Sequence, residues 1–486
     1  MKKLLTFILL AAIFGLTQAQ NETDVLRLSQ TFYQGTARSM AMGGAFGALG
    51  ADFSTLSTNP AGIGLYRTSE FTISPEIFYS QTGSDYNGFY GQDDRTNFDL
   101  SNVGLIATTK APVKPGSLLR YYQFGFGMNR TNTYNNSTFI VGDNYQHSKV
   151  DVYLDELGNT DPAYIENDFP FDIYPAWYVY VIDTVRDQDG YLLYTSPVPQ
   201  GGIRQQESQT LKGSNNEWLF AVGANLNDMF YVGATLGLPY SRYFKTSTFT
   251  EYDNADTIPG FEDWSYTEYL ETRGWGVNLK LGVIAWPVEW LRIGAAFHTP
   301  TLYYGMHDTW YTSTDARLDG VYNRKDSPQG SYEYDITTPL RALGSAAIII
   351  GKSGTLSVDY EYVDYSTAKL DAIDYNFFDE NNAIKQTYSS ATNLRFGTEW
   401  RYSNFAFRGG YSIYGSPYNN NANDGATKSY SLGVGYQDAG FGLDFAYVHA
   451  KTNQDYYLYS STNYTTNAAN QSIIRNNFVM TARMKF

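Results

Sequence analysis

The chain has 486 residues, a formal net charge of −15, 0 cysteines and an aromatic content of 17%. The acidic balance excludes a basic nucleic-acid-binding surface, so we expect no nucleic-acid partner. The lack of cysteine excludes a disulfide framework, thiolate catalysis and cysteine-based metal sites. High aromatic content with a mean hydropathy of −0.37 is typical of a transmembrane β-barrel, in which lipid-facing and lumen-facing residues alternate.

The first segment is typical of a secretory signal peptide. It has a basic start at Met1–Lys3, an apolar run at Leu4–Leu16 and a small residue at Ala19. We predict cleavage after Ala19, which makes 1–19 the signal peptide. The apolar run has about 13 residues, whereas a membrane-spanning helix needs roughly 20. We therefore expect an exported chain that, in a membrane, forms a closed barrel.

Residues 20–69 are rich in Gly, Ala, Ser and Met and show no strand pattern. Glycine and alanine permit close backbone packing, and Asn-Pro is a turn signal. Such a segment is not a lipid-facing strand, but it suits a plug inside a wide barrel. We predict an N-terminal hatch in the lumen, with a gating turn formed by Asn59, Pro60, Ala61 and Gly62. The alternative is that this turn only ties the plug to the barrel.

From 70 to 486 the chain shows segments in which apolar and polar residues alternate, as strands with one greasy face do. Clear examples are Trp275–Val283, Phe441–Tyr447 and the last segment, in which Phe478, Met480, Met484 and Phe486 share one parity. We predict an all-β, antiparallel transmembrane barrel of about 14 strands. The alternation is weakest at about 96–109 and 331–350.

The connections between these segments alternate between short and long. We predict short turns at 225–228, 286–290, 351–354, 402–404 and 437–440. We predict longer polar links near 81–96, 134–215, 251–264, 305–331, 370–386, 417–426 and 460–472. Short periplasmic turns and long extracellular loops are typical of outer-membrane barrels. We therefore expect the Gram-negative outer membrane, with both termini periplasmic and a long acidic extracellular insertion at about 134–215.

Charged residues fall on the face of the strands that we assign to the lumen, where they cost little. We expect them to be solvated or mutually paired, and no ligand-binding residue is identified among them. They are Arg292, Asp359, Glu361, Arg395, Glu399, Arg401, Arg408, Asp444, Arg475 and Arg483.

We predict no catalytic residue, no metal site and no cofactor. The chain has four histidines, and only His298 is expected to face the lumen near the outer rim. A barrel hydrolase would pair it with a serine, but no adjacent strand offers one at matching height. Asp183, Asp187 and Asp189 leave an irregular surface Ca²⁺ site open as an alternative, although their spacing does not fit an EF-hand loop.

Several motifs occur in the order found in one known family. They are Asn59-Pro60-Ala61 before the first strand, the run GWGVNLKLG at 274–282, LRIG at 291–294, His298-Thr299-Pro300 and the terminal Phe486. The chain resembles the FadL-type outer-membrane transport proteins, which include aromatic-hydrocarbon channels. The resemblance implies a monomeric 14-stranded barrel in outer-membrane lipid, with an N-terminal hatch. It also implies passive uptake of hydrophobic small molecules such as long-chain fatty acids or aromatic hydrocarbons.

The insertion at about 134–215 is longer than a typical loop of that family, which leaves other functions open. Some FadL-like barrels act as docking or shuttle components in protein secretion, and the insertion would suit a surface protein partner. A barrel enzyme that uses His298 is a third hypothesis. Fatty acids, aromatic hydrocarbons and haem-like molecules are all apolar enough to be ligands, and no sequence feature selects among them.

Overall fold

A computed structural model describes residues 22–32, 34–112, 115–190, 192–199, 201–419, 423–461 and 463–486. The predicted signal peptide, 1–19, lies outside these residues. Within the described ranges, none of the helices has the length and apolar content that crossing a membrane requires.

Strands make up most of the molecule. In chain order they are β1 (Glu70–Tyr86), β2 (Phe89–Lys110), β3 (Leu119–Thr133), β4 (Asn136–Asn144), β5 (Asp183–Arg186), β6 (Leu192–Thr195), β7 (Ile203–Leu226), β8 (Phe230–Tyr252), β9 (Phe261–Val288), β10 (Leu291–His298), β11 (Leu302–Leu318), β12 (Val321–Asp326), β13 (Gly330–Thr337), β14 (Arg341–Ile350), β15 (Gly354–Asp364), β16 (Lys369–Asp371), β17 (Ser390–Tyr402), β18 (Phe405–Tyr414), β19 (Thr427–Gln437), β20 (Phe441–Tyr457) and β21 (Ala468–Lys485).

Fourteen of these strands close into an antiparallel barrel. The wall runs β1, β2, β3, β7, β8, β9, β10, β14, β15, β17, β18, β19, β20 and β21, each paired with the next. Strand β21 closes the ring on β1, in a register from Glu70 opposite Lys485 to Asp85 opposite Asn470. The predicted fold class and strand count are confirmed.

The two faces of the wall differ as the alternation predicts. On β17, Phe396 and Trp400 point outward and are 43% and 47% exposed, while Arg395 and Glu399 point inward and are 0% and 3% exposed. Successive side chains on a strand point to opposite faces, so one strand serves an apolar exterior and a polar interior. The same alternation continues on β21, where Phe478 and Met480 are exposed.

The five short turns lie where the sequence predicts them, but several predicted long links are wrong. Strands β1 and β2 meet at a tight turn, Asn87–Gly88, so 81–96 is a hairpin rather than a loop. Likewise, most of 305–331 belongs to β11, β12 and β13. These strand ends are polar on both faces because they extend beyond the apolar band of the wall. The period-two signal therefore disappears although the hydrogen-bond ladder continues.

The two least regular strand predictions also need correction. Strand β2 begins at Phe89, earlier than 96, and the segment 331–350 is divided into β13 and β14. The break at Thr338–Leu340 contains Pro339, which has no N–H to donate to a ladder. Thr338 still donates its backbone N–H to the Thr301 carbonyl at 3.0 Å, so the wall continues across the break.

Within the described ranges, the helices lie outside the wall strands. They are α1 (Glu22–Ser29), α2 (Ala37–Ala41), α3 (Thr55–Thr58), α4 (Lys149–Leu157), α5 (Ile165–Asp168), α6 (Ile173–Tyr178) and α7 (Phe378–Thr387), with 3₁₀ turns at Pro60–Leu65, Pro162–Tyr164 and Tyr365–Thr367.

The predicted insertion at 134–215 is shorter than expected, because β4 and β7 occupy both of its ends and pair with each other. We call the remaining residues, 145–202, the cap. Apolar residues of the cap, among them Ile165 and Ile173, share one buried cluster with Phe249 of β8 and Trp264 of β9. Both lie in the parts of the wall strands beyond the apolar band, which we call the wall extensions. The cap therefore closes the end of the barrel at which the longer connections between strands lie.

Candidate functional site

The N-terminal segment, described from Glu22 to Ser69 except for residue 33, lies inside the barrel. Inward-facing side chains of three strands bond its backbone. The Ala37 N–H donates to Thr481 Oγ1 at 2.7 Å, and the Gly43 N–H donates to Ser431 Oγ at 3.0 Å. The Gly47 N–H donates to a carboxylate oxygen of Asp359 at 3.0 Å. These contacts come from β21, β19 and β15, so inward-facing side chains of three strands hold the segment.

Asn59 joins three parts of this interior. Its Oδ1 accepts a hydrogen bond from the Ala61 N–H at 3.2 Å, which caps the 3₁₀ turn that begins at Pro60. Its Nδ2 donates to the Gly47 carbonyl at 2.6 Å and to the Val283 carbonyl of β9 at 3.3 Å. The asparagine thus ties its own turn to an earlier loop of the segment and to the wall. The sequence-identified residues Asn59, Pro60, Ala61 and Gly62 lie in this one turn, all of them buried.

Glycines of the wall make room for this turn. A Cβ at Gly233 of β8 would overlap the Pro60 carbonyl, and one at Gly282 of β9 would overlap Asn59 Oδ1. On β10, a Cβ at Gly294 would lie 3.0 Å from Asn59 Nδ2. Three neighbouring strands therefore present a flat floor to the turn. Sequence reasoning missed these residues, although inward parity combined with glycine was a signal for them.

Gly125 and Gly127 of β3 also receive the segment. A Cβ at Gly125 would lie 2.8 Å from a methyl of Leu56 and 3.0 Å from Ile63, and one at Gly127 would lie 2.6 Å from Phe53. These glycines are packing positions.

His298 also contacts the N-terminal segment inside the barrel. It is buried, and its Nε2 lies 2.7 Å from the carbonyl oxygen of Thr58, the residue before Asn59. Gln123 Nε2 of β3 donates to the Tyr66 carbonyl at 3.0 Å, beyond the other end of the 3₁₀ turn. Both side chains connect the wall to the turn.

The predicted pairing of lumenal charges is confirmed for most of the set. Glu361 accepts from Arg341 at 2.6 Å and from Arg395 at 3.1 Å. Glu399 accepts from Arg408 at 2.6 Å and from Arg401 at 2.7 Å. Guanidinium forks and carboxylates fit each other in geometry and charge, which limits the cost of burying them.

Two further members of the set connect differently. Asp444 accepts a hydrogen bond from Arg408 at 2.7 Å and forms an ion pair with Arg483 at 2.8 Å, which extends the paired chain to the last strand. Asp359 bonds the backbone of the N-terminal segment, as described above. Arg38 of the N-terminal segment, which the sequence did not place, also donates to Glu399 at 3.0 Å. The network of lumenal charges therefore joins the N-terminal segment to the wall, in addition to joining wall strands to one another.

A cavity lies on the cap side of the N-terminal segment, with about 660 Å³ of open space between protein atoms. Its apolar lining includes Phe32, Met40, Phe78, Tyr414 and Val448, and its polar lining includes Gln34, Asn132, Ser412, Ser429, Arg475 and Asn477. Among the described residues, no carboxylate lies within 4.0 Å of the Arg475 guanidinium. The cavity combines an apolar wall with polar groups, which is the usual composition of a small-molecule site.

The wall is not hydrogen-bonded along its whole height. The ladder between β2 and β3 stops at the pair Asn102–Asn129, and above it the described residues of β2 pair with β1 alone. A side-chain bridge spans this interval, since Arg130 Nη1 lies 2.6 Å from a carboxylate oxygen of Asp99.

The candidate Ca²⁺ residues lie in the cap. Asp183 begins the hairpin of β5 and β6, and Asp187 accepts from the Asp189 N–H at 3.0 Å in its turn. Within the described part of the chain, no group of three or more His, Asp or Glu residues is arranged to hold a metal ion.

Comparison with known proteins supports the fold. No family model matches the sequence, and no curated protein matches it. Among solved structures, a Pseudomonas aeruginosa FadL homologue is similar over 94% of this chain and 100% of its own, with 12% identity and a TM-score of 0.60. The Pseudomonas putida toluene transporter TodX covers 94% and 99%, with 12% identity and a TM-score of 0.54. The Ralstonia pickettii toluene transporter TbuX covers 94% and 99%, with 15% identity and a TM-score of 0.52. The chain therefore has the FadL-type barrel fold, as its motifs indicated.

Proposed function

We propose that the protein is an outer-membrane channel for the passive uptake of hydrophobic small molecules. The observation that carries this proposal is the cavity beside the N-terminal segment, inside a closed barrel with a FadL-type fold. The similar structures are named as a FadL homologue and toluene transporters, which supports long-chain fatty acids or aromatic hydrocarbons as the ligand class. No catalytic step is part of the proposal.

We propose an orientation on the basis of the two ends of the barrel. The last residue, Phe486, donates its N–H to the Ser69 carbonyl at 3.1 Å, so the wall begins and ends at the short-turn side. We assign this side to the periplasm and the cap to the cell surface, because outer-membrane barrels keep short turns inside. Exposed apolar side chains on the outer face support a membrane position, since lipid is their favourable surroundings.

The gate in this proposal is the turn of Asn59–Gly62. Its polar ties to the wall are few: Asn59 donates to the Val283 carbonyl, His298 contacts the Thr58 carbonyl, and Gln123 donates to the Tyr66 carbonyl. A hydrogen bond contributes only about 1 kcal/mol net, because water can replace the lost partner. The turn can therefore leave its glycine floor at modest cost and open a path past the segment. The unpaired interval between β2 and β3 offers a second exit, sideways into the membrane.

The gate is tested by Asn59→Ala, which removes the side chain that joins the turn, the loop and β9. We expect a folded, heat-modifiable barrel with uptake of labelled palmitate or toluene changed at least severalfold, since the three contacts of Asn59 disappear together. Asn376→Ala, at an exposed loop position, is the matched control. Pro60→Ala loosens the same turn through its backbone and should act in the same direction. Unchanged uptake in both gate variants would reduce the turn to a structural tie.

The ligand class is tested by native mass spectrometry of the detergent-purified mature protein, with organic extraction. A bound fatty acid or aromatic compound supports the channel and names its class. An empty barrel that carries a stoichiometric protein would favour the second function, a docking scaffold for protein secretion. Deleting the cap, 145–202, then separates the two, because a scaffold loses its partner while uptake survives.

A further inference from the structure

A second cavity lies on the other side of the N-terminal segment, at the short-turn mouth. It is partly open to solvent, with about 540 Å³ of space between protein atoms, and is lined by Arg38, Leu49, Arg292, Lys352, Glu399 and Arg401, with the turn Gly351–Gly354 at its edge. The segment contributes Arg38 and Leu49, whereas strands β10 and β17 contribute Arg292 and Arg401. The cavity therefore lies between the N-terminal segment and the barrel wall.

Its charges do not balance. Four cationic side chains line the cavity, and Glu399 is the one carboxylate in that lining. Glu399 is already bonded by Arg38 at 3.0 Å, Arg401 at 2.7 Å and Arg408 at 2.6 Å. The carboxylate of Asp444 lies next along the network, but Arg408 and Arg483 hold it. Positive charge is thus left over at this mouth.

Arg292 shows the excess most clearly. Its Nη1 donates to the Leu49 carbonyl at 2.8 Å, and its guanidinium lies 4.0 Å from the ring centre of Trp286. Its Nε is buried and has no hydrogen-bond partner among the described residues. Like charges gathered in one partly enclosed space repel each other, and a bound anion would relieve that repulsion.

We propose that this cavity is a binding site for an oxyanion, held by Arg292, Arg401 and Lys352 on the wall side and by Arg38 on the segment side. Guanidinium groups present several donors in a fork that matches carboxylate and phosphate oxygens. A bound oxyanion bridges the plug and the wall, and so adds a contact that holds the segment in place. The site goes beyond the proposed channel function, since it binds its ligand whether or not the barrel transports anything.

Two probes without apolar tails test the site directly: phosphate, followed by ³¹P NMR relaxation, and trifluoroacetate, followed by ¹⁹F relaxation, both at constant ionic strength in chloride. We expect Arg292→Gln to raise the apparent Kd about tenfold, as loss of a charge-assisted contact does. Lys352→Gln, on an exposed turn, should raise it less and should leave the barrel folded. Arg292→Lys should restore part of the affinity. Arg317→Gln, at the opposite end in an exposed pair with Asp263, is the matched control.

The source of the anion is distinguished by octanoate and octanol, which share a tail and differ in charge. Weaker octanoate binding in Arg292→Gln with unchanged octanol binding identifies the carboxylate of a passing amphiphile. Weaker phosphate binding alone identifies a free anion. If Arg292→Gln and Lys352→Gln bind phosphate, trifluoroacetate and octanoate as the wild type does, the site does not exist. That result would leave the proposed channel function untouched, because the Asn59→Ala uptake assay tests it separately.

Discussion

Two segments close the lumen, and they are attached in different ways. The cap, 145–202, shares one continuous apolar cluster with the wall extensions, and Glu251 at its edge accepts four hydrogen bonds from Ser148, Lys149, Gln205 and Trp264. The N-terminal segment is divided over several smaller apolar clusters and is bonded to the wall between them through polar side chains. Glycines of the wall lie beneath it at several positions, among them Gly233, Gly282 and Gly397.

Because the two segments are attached differently, displacing them has different free-energy costs. Displacing the cap exposes apolar surface to water, at about 25 cal/mol per Å². Displacing the turn of the N-terminal segment exposes the smaller apolar clusters of Ala61 and Ile63, and it exchanges protein hydrogen bonds for bonds to water at about 1 kcal/mol each. This difference agrees with the proposal that the N-terminal segment, rather than the cap, acts as the gate.

The largest effect is expected from removing the centre of the cap's cluster. Trp264 is fully buried, lies 5.9 Å from the Phe249 ring and 6.2 Å from the Tyr153 ring, and donates to Glu251. Trp264→Ala should destabilise the cap by about 3–5 kcal/mol, the usual cost of a large cavity. Hydrogen exchange should accelerate throughout 145–202 and leave the wall protected. Trp290→Ala, at an exposed turn, is the control, and equal exchange in the two variants would refute the one-cluster description.

A smaller effect is expected at the main polar tie of the N-terminal segment. Asp359 accepts from the backbone N–H groups of Phe46 and Gly47. Asp359→Ala leaves both donors unsatisfied and should cost about 1.5–3 kcal/mol, locally. Exchange should accelerate at 43–50 while heat-modifiability persists. Asp263→Ala, in an exposed ion pair, should change neither the exchange at 43–50 nor the heat-modifiability. If Asp359→Ala accelerated exchange in the cap alone, Asp359 would not be a tie of the N-terminal segment.

The glycine floor gives the next test. In Gly282→Ala the added methyl overlaps Asn59 Oδ1, so the turn must shift, at about 1–3 kcal/mol for overpacking. Gly344→Ala adds the same methyl where nothing lies within 4 Å. The thermal midpoint and the exchange of 59–62 should change only in the first variant. Matching behaviour of the two would mean that the turn does not rest on this floor.

The smallest effect concerns pH. Burial in the cap raises the pKa of the Asp172 carboxyl above its ordinary value of 3.8, although the Ile173 N–H and Lys149 oppose this. A carboxyl with a raised folded-state pKa stabilises most below its unfolded pKa, and that contribution is lost as pH rises through the folded value. Cap protection factors, corrected for intrinsic exchange, should therefore fall from pH 4 upward. Asp172→Asn keeps the helix cap and should flatten this dependence, whereas Asp183→Asn should not.

The sequence by itself determined the barrel, its strand count and the polarity of its faces. Period-two alternation such as that of Phe396, Trp400 and their inward neighbours is a local property, because a strand shows each side chain to a fixed side. The Asn59–Gly62 turn was also readable, since proline and asparagine act on their own backbone. The strand extensions at 81–96 and 305–331 were not, because above the apolar band polar residues such as Thr82 and Ser84 occupy buried inner positions, so the alternation of apolar and polar residues vanishes.

Only the tertiary structure decided which residues meet across the lumen. Gly233, Gly282 and His298 lie far from Asn59 in the chain, and no local pattern shows that three strands converge on one turn. The pairing of Arg38 with Glu399 and the surplus of cations around Arg292 likewise depend on where the segment enters the barrel. Charge balance in a cavity is a sum over residues from distant strands, so it exists only once the chain has closed on itself.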